Sequence, residues 1–209
     1  MSLLLITAVD AEAAALADVP DATIVVAGIG RANAAAATTQ AILEHGPFEA
    51  VCSVGVAGAL PGAELQLGET IVAEACIYAE EGLQTPDAFL DMQAMGFPLG
   101  DFTGNRVPVD PGLLRRLQGH APTGLIATVA TCSGSDLQAQ LISRRTRAIA
   151  EAMEGAAVVH AARRLHLPAI ELRTISNTTG DRDRQHWDLP GALDAMARDL
   201  PPLLQHLRN

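Results

Sequence analysis

The sequence predicts an α/β fold, a three-layer αβα sandwich around a mostly parallel, twisted central sheet, in a single domain over residues 1–209. Three observations carry that expectation. Short apolar or β-branched runs of strand length alternate with longer stretches of helical composition, the pattern of β–α units. Those runs are apolar at consecutive positions rather than alternate ones, as strands covered on both faces require. Hydrophobic residues make up 49% of the 209, and a chain of this length can bury roughly 70% of its unfolded surface. No linker, repeat or low-complexity segment divides the pattern.

Leu3–Val9 is a continuous apolar run and reads as a buried strand. Asp10 can cap a helix immediately after it, because a carboxylate accepts hydrogen bonds from the first free N–H groups of a helix and Ala11–Ala17 has helical composition. Thr23–Ala27 is a second strand, ending in Gly28-Ile29-Gly30. Residues 31–45 read as a helix closed by Gly46-Pro47, since proline cannot continue one. Ala50–Gly55 is a third strand running into a small-residue turn at Val56-Ala57-Gly58, and Glu69–Ile77, introduced by Gly68, is a fourth. Between Glu80 and Val109 the patterning fades to a long loop with a short helix near Ala88–Met95. Long loops inside compact domains are usually functional or interfacial. Asp110–Leu117 is a short helix with proline at its first position. Gly124–Ala130 is a strand, Thr131–Asp136 a polar turn, and Asp136–Ala150 and Glu151–Leu165 two helical stretches. Ala169–Ser176 is the last strand, Asn177–Asp188 a polar loop, and the final helix runs from about Pro190 to Leu207.

Composition removes several functions. Thirty-eight residues are alanine and only 3% are aromatic, so the core depends on close backbone approach rather than on large side chains. All 14 basic residues are arginine, which excludes a Schiff-base lysine and the phosphate-binding lysine of P-loops and kinases. A formal charge of −10 with no basic stripe argues against nucleic-acid binding. Cys52, Cys76 and Cys132 are singly spaced and are expected to be small buried hydrophobes, and the six histidines show no ligand spacing. No metal and no cofactor are expected. No apolar run approaches the ~20 residues that cross a bilayer and no basic leader precedes the first strand, so no membrane partner and a cytoplasmic location are expected.

In sheets of this kind ligands bind beyond the carboxyl ends of the strands. Gly28-Ile29-Gly30 before a helix resembles the opening of a dinucleotide fingerprint, but Asn33 stands at its third glycine position, and a tight strand-to-helix turn is the better reading of a lone G-x-G. Gly55–Gly58 is a second place where backbone can approach a ligand. Ser133-Gly134-Ser135 is no nucleophile elbow, so a serine-hydrolase triad is not indicated. Two carboxylates lie in apolar surroundings, Glu12 after the first strand and Glu154 within Ala-Met-Glu-Gly-Ala-Ala-Val-Val. Charged groups so placed either cap a neighbouring element or meet a ligand.

Taken together, five segments resemble a known family in the same order along nearly the whole chain. Ala8-Val-Asp-Ala-Glu12 is similar to the A-M-E-E-E start of the 5′-methylthioadenosine/S-adenosylhomocysteine nucleosidases, and Val26–Ala34 to their S-G-I-G-K-V-N-A. Ser53–Gly58 resembles their N-T-G-S-A-G turn, Glu151–Ala157 their V-E-M-E-x-A-A segment, and Arg173–Asn177 their R-A-I-S-D. The resemblance implies the nucleoside phosphorylase-like fold and a purine nucleoside as small-molecule substrate. Two departures narrow it. Asn177 replaces the aspartate of the adenine-specific enzymes, and an amide donor suits the two acceptors, O6 and N7, of a 6-oxopurine. The phosphorylases carry arginine and serine where this chain has Ser53 and Val56, which implies water rather than phosphate as nucleophile. Ile175–Arg184 followed by Trp187 resembles the I-S-N-x-x-G-x-R-D-R-x-x-W segment of the futalosine hydrolases, which release hypoxanthine from futalosine in menaquinone biosynthesis.

That resemblance implies roles. Glu12 would be the general base for a water attacking C1′, Glu154 would bind the ribose hydroxyls with Met153 packed against the sugar, and Asn177 would donate to the departing base. The backbone of Val56, Ala57 and Gly58 and that around Cys132 would approach the substrate, and Trp187 would form part of a lid. Asp181 and Asp183 are alternative proton donors or salt-bridge partners of Arg182 and Arg184. Futalosine carries a 3-carboxyphenyl ketone at its 5′ end, for which Arg184, Arg182 and Arg106 are candidates, each equally readable as a solvated surface residue. Residues 80–107 would complete a neighbouring subunit's pocket, implying a homo-oligomer, dimer or higher. Rival readings are a methylthioadenosine nucleosidase of altered specificity, a purine nucleoside phosphorylase, and a nucleoside-binding protein without catalysis.

Overall fold

A computed structural model describes residues 2–208. In chain order its elements are β1 (Leu3–Thr7), α1 (Asp10–Ala15), β2 (Ala22–Val26), α2 (Arg31–His45), β3 (Ala50–Ala59), β4 (Thr70–Tyr78), β5 (Gly82–Gln84), β6 (Phe89–Asp91) and α3 (Met92–Met95). There follow β7 (Arg106–Pro108), α4 (Pro111–Leu117), β8 (Thr123–Thr128), α5 (Asp136–Thr146), β9 (Ala150–Ala152), α6 (Gly155–Arg164), β10 (Ala169–Thr178), a single 3-10 turn (Arg182–Arg184) and α7 (Leu189–Leu207).

The α/β class is as expected, and the central sheet is mixed. β2, β1, β3 and β10 run parallel, and so do β4, β8 and β9, but the two groups meet through antiparallel pairings of β10 with β4 and of β9 with β3. Because β10 pairs with both β3 and β4, the strands β3, β10, β4, β8 and β9 close into a ring, and β1 and β2 extend from β3. α2 and α6 pack on each other, with α6 lying across β3, β8 and β10; α7 lies across β10, β3 and β4 beside α1 and α4.

Consecutive apolar residues on β1 are buried on both faces: Leu3, Leu4, Leu5 and Ile6 are each at most 1% exposed, and such side chains contribute about 1.5–3 kcal/mol apiece. The alanines act as the composition suggests. Ala156, Ala157, Ala161 and Ala162 are buried on α6, where small side chains let the helix lie close to the sheet. Its first residue has no room for any side chain, since a Cβ on Gly155 would fall 2.0 Å from the Glu171 carboxyl.

Several segments differ from expectation. Val56-Ala57-Gly58 is not a turn, because β3 continues through it to Ala59, and β10 likewise runs on through Asn177 and Thr178; pairing between the two strands holds both extensions in the sheet. Glu151–Leu165 is not one helix: Ala150–Ala152 is a strand wedged between β8 and β3, and α6 begins only at Gly155. Alanine, methionine and glutamate favour helix locally, but sheet pairing overrides a propensity worth tenths of a kcal/mol per residue. The preceding helix likewise ends at Thr146, where Arg147 turns left-handed with φ 57°. The 80–109 stretch contains the β5–β6 hairpin and β7 as well as α3. At α1 the capping position is Val9, with Asp10 the first helical residue. Cys52 and Cys76 are buried as expected, whereas Cys132 is exposed on the turn after β8. No helix among the described residues is long and apolar enough to cross a membrane.

Candidate active site

The carboxyl ends of β1, β3 and β10, the short β9 and the start of α2 converge on one buried cluster. Glu12 leaves β1 on the first turn of α1 and turns back: Oε2 accepts from the N–H groups of Ala8 (2.8 Å) and Val9 (3.3 Å), and Oε1 from Val56 N–H (2.9 Å). The side chain is 3% exposed. Three backbone donors fix the carboxylate and leave Oε1 with a lone pair to spare. A Cβ at Gly55 would sit 2.4 Å from Glu12 Oε1 and 2.6 Å from Arg173 Nη1, so only glycine admits both groups.

Glu154 stands at the entrance to α6, itself anchored by a 2.8 Å bond from Ala156 N–H to the Thr128 hydroxyl. Glu154 Oε1 accepts from Gly30 N–H at 3.0 Å, and Oε2 accepts from Met153 N–H at 3.3 Å. That explains the glycine pair of the sequence. Gly28 and Gly30 adopt φ of 88° and 95°, a region open to glycine, and the turn aims an N–H at a carboxylate instead of a phosphate.

Arg173 binds the cluster together. It is 1% exposed in the middle of β10; Nε donates to Glu171 (2.8 Å), Nη2 donates to the Ser53 hydroxyl (3.0 Å) and lies 3.5 Å from Glu154 Oε2, and Nη1 donates to the Val56 carbonyl (3.5 Å). Burial works against its charge, but the carboxylates of Glu171, Glu154 and Glu12 outweigh that and push the guanidinium above its ordinary range. Sequence reasoning assigns Arg173 no role. The signal that could have found it is two opposite charges at alternate positions of an otherwise apolar strand, Glu171 and Arg173, which a period of two places on one face.

At the end of β10, the Asn177 amide is oriented: Oδ1 accepts from the Ser176 hydroxyl (2.9 Å) and Nδ2 donates to the Thr178 carbonyl (2.9 Å). Gly58 makes room for it, since a Cβ there would meet Nδ2 at 2.9 Å. The backbone of Asn177 bridges to Trp187, which is 50% exposed and carries the Arg182 guanidinium 4.6 Å above its ring. Val56, Ala57 and Gly58 thus lie between Glu12 and Asn177, and Met153 adjoins Glu154.

Around this centre the turn after β8 is held by Glu151, which accepts from Ser133 N–H and from the Ser133 hydroxyl, both at 2.6 Å. Burial pushes the Glu151 carboxyl up, against those two bonds. Cys132, next in line, has its thiol raised by burial and by the nearby Glu151, Glu154 and Glu80 carboxylates. The turn is tied to the 177–188 loop by Arg184, whose Nη2 lies 2.5 Å from both Asp136 and Asp181, and by Gln185, which donates to the Ser133 carbonyl. Arg184 therefore occupies the ion-pair role raised for it, and Arg106 is exposed on β7. Asp181 is held below the usual carboxylate range, first by the Asp136 backbone N–H and then by Arg184.

The arrangement offers a fixed carboxylate with a free lone pair, a second carboxylate nearby, a buried guanidinium between them and an oriented amide. It can hold a water against an electrophilic carbon while an amide N–H meets a leaving group.

Comparison with known proteins places the chain in a family. Residues 7–206 match the model of the phosphorylase superfamily. The chain is 35% identical over 181 residues to a futalosine hydrolase of Streptomyces coelicolor, covering 83% of this chain and 74% of that protein. It is 38% identical over 187 residues to that of Thermus thermophilus, covering 85% and 78%. Among solved structures, futalosine hydrolase of Helicobacter pylori superimposes with a TM-score of 0.76 at 20% identity, over 100% of this chain and 98% of that one. A 5′-methylthioadenosine/S-adenosylhomocysteine nucleosidase of Colwellia psychrerythraea in complex with adenine gives 0.78 at 21%, over 99% and 94%. At those identities the two structures speak for the fold.

Proposed function

The chain belongs to the phosphorylase superfamily and, within it, to the futalosine hydrolase family, and on that premise we propose that it hydrolyses the N-glycosidic bond of futalosine, releasing hypoxanthine and leaving dehypoxanthinyl futalosine. The observation that carries the specificity is Asn177. Its amide is locked by Ser176 and Thr178 so that one Nδ2 hydrogen is engaged and the other is free to meet O6 or N7 of a 6-oxopurine.

In the reaction a water bound at the free lone pair of Glu12 Oε1 attacks C1′ and gives its proton to that carboxylate. The C1′–N9 bond breaks as C1′ becomes oxocarbenium-like, its electron pair moving onto the purine, where the Asn177 N–H stabilises the growing charge until the base takes a proton from solvent, and the proton held by Glu12 returns to solvent. Glu154 holds the ribose hydroxyls and Met153 packs against the sugar. The ionised Asp181 is unsuited to donating a proton to the base. Water as nucleophile is supported by Ser53, which is 0% exposed and bonded to Arg173, and by the side chain of Val56, which offers no hydrogen bond to phosphate. The substrate preference is tested by chromatography of products from futalosine, inosine and 5′-methylthioadenosine. Hypoxanthine from futalosine is expected, and preferential adenine release from methylthioadenosine would overturn the reading. Asn177→Asp should lower kcat/KM on futalosine by about 10²–10³-fold, because a carboxylate facing two acceptors leaves the base edge unpaired.

We also infer a homo-oligomer, dimer or higher. The groove of about 740 Å³ between α2 and α6 is walled by Ala36, Thr39, Gln40, Ala161 and Arg164, small or flat residues on which helices of a second copy can pack closely. Leu43 on α2 is 70% exposed, and Leu83, on the β5–β6 hairpin, is 47% exposed. Sedimentation at micromolar concentration should give twice the chain mass or more; a monomer would contradict the inference.

A further inference from the structure

At Gly58 three strands lie side by side. Gly58 pairs with Glu151 of β9 on one edge and with Asn177 of β10 on the other. A series of contacts leads outward from each of these neighbours. Glu151 accepts from the Ser133 N–H and from the Ser133 hydroxyl, both at 2.6 Å. On the other side the 177–188 loop folds back along β10. Thr178 N–H donates to the His186 carbonyl (3.0 Å), Asp188 N–H donates to the Ser176 carbonyl (2.9 Å), and the backbone of Trp187 lies opposite that of Asn177. The two series meet at Gln185, whose Nε2 donates to the Ser133 carbonyl (2.9 Å) and whose Oε1 accepts from the Trp187 indole N–H (2.7 Å). The result is a closed ring that runs from Asn177 through Trp187, Gln185, Ser133, Glu151 and Gly58 back to Asn177.

Gln185 is the link that only one residue type can make. Nε2 also donates to the Gly180 carbonyl (2.8 Å), and Oε1 also accepts from Arg182 Nη1 (3.0 Å), so two donors and two acceptor sites are all engaged. The orientation of the amide is fixed, because a flip would set NH₂ against the indole and guanidinium donors and oxygen against two carbonyls. Other bonds tie the same loop to the same turn. Arg182 N–H donates to the Gly134 carbonyl (3.1 Å), and Asp136 and Asp181 each accept from the other's N–H (2.9 and 2.8 Å). None of these reaches Trp187 or Asn177.

We propose that Gln185 is a positioning residue for the purine base. By closing the ring it sets the turn after β8 and the Trp187 side of the loop at the separation in which the base is held beside Asn177. This role rests on the futalosine reading above. Gln185 acts through Ser133 and Trp187 and takes no part in bond breaking. Glu12, Glu154 and the Asn177 amide keep partners of their own when it is replaced, so its loss weakens binding of the base and leaves the chemical step largely intact.

The test measures hypoxanthine affinity by calorimetry, and kcat and KM on futalosine, in the wild type, Gln185→Met and Gln185→Glu. Methionine keeps the length of the side chain and makes none of its bonds; glutamate keeps the acceptor for Trp187 but opposes the Ser133 and Gly180 carbonyls. Both should weaken hypoxanthine and raise KM by about 10-fold, the worth of one or two neutral hydrogen bonds, with kcat within about 3-fold of the wild type. Trp187 is the only tryptophan, so its emission reads the other half of the ring. It should shift to the red in Gln185→Met and stay near the wild type in Gln185→Glu. Unchanged affinity and KM in both variants, even with a lowered Tm, or a loss carried by kcat, overturns the role while hypoxanthine binding by the wild type leaves the functional reading standing. A wild type that binds no hypoxanthine overturns both.

Discussion

Glu12→Gln is expected to lower kcat on futalosine by about 10²–10⁴-fold, the usual contribution of a positioned general base, with KM little changed. The geometry says why the amide fails twice. It cannot take a proton from water at neutral pH, and it cannot fit the nest that holds the carboxylate. The N–H groups of Ala8, Val9 and Val56 all point at Glu12 oxygens, so the NH₂ of glutamine must face at least one donor. That mismatch adds a stability cost of about 1–3 kcal/mol, measurable by thermal melting beside the kinetics. Glu12→Asp separates the two effects: it keeps the acceptors but withdraws the oxygen from C1′, so activity should fall sharply although the charge remains. Wild-type turnover in either variant would remove Glu12 from the chemistry.

Arg173→Met is expected to cost about 3–5 kcal/mol of stability, because it strips the shared cation from a buried group of carboxylates. Arg173 is 1% exposed and Glu171 0%, so solvent screens little of that loss. In a domain of this size it should lower Tm by roughly 10 °C, and it should abolish activity in the folded fraction because Glu12 and Glu154 lose the group between them. Arg173→Lys retains charge but not the fork that reaches Glu171, Ser53, Glu154 and Val56 together, and should recover stability only in part. A melting curve of Arg173→Met that superimposes on the wild type would show that the carboxylates do not depend on it.

Much of the fold and of the site is legible in the residues alone. The strands β1, β3, β4, β8 and β10 are continuous apolar runs whose burial leaves little choice of class, and Glu12, Glu154 and Asn177 stand out as polar groups beside them. The remainder depends on pairing between distant parts of the chain. Ala150–Ala152 has helical composition and becomes a strand only because β8 and β3 leave a gap of three residues between them. The ring closure arises from β10 pairing on both edges, which no local pattern encodes. The β5–β6 hairpin is short and largely exposed, so it shows no alternation of apolar and polar residues.

Attack on C1′ by a water held at Glu12 is the step on which the proposed mechanism depends. Mass spectrometry of the sugar product formed from futalosine in saturating phosphate reads that step directly. Dehypoxanthinyl futalosine with a free C1′ hydroxyl is expected, formed at the same rate with and without phosphate and missing in Glu12→Gln. A C1′ phosphate ester, or a rate that requires phosphate, would contradict it.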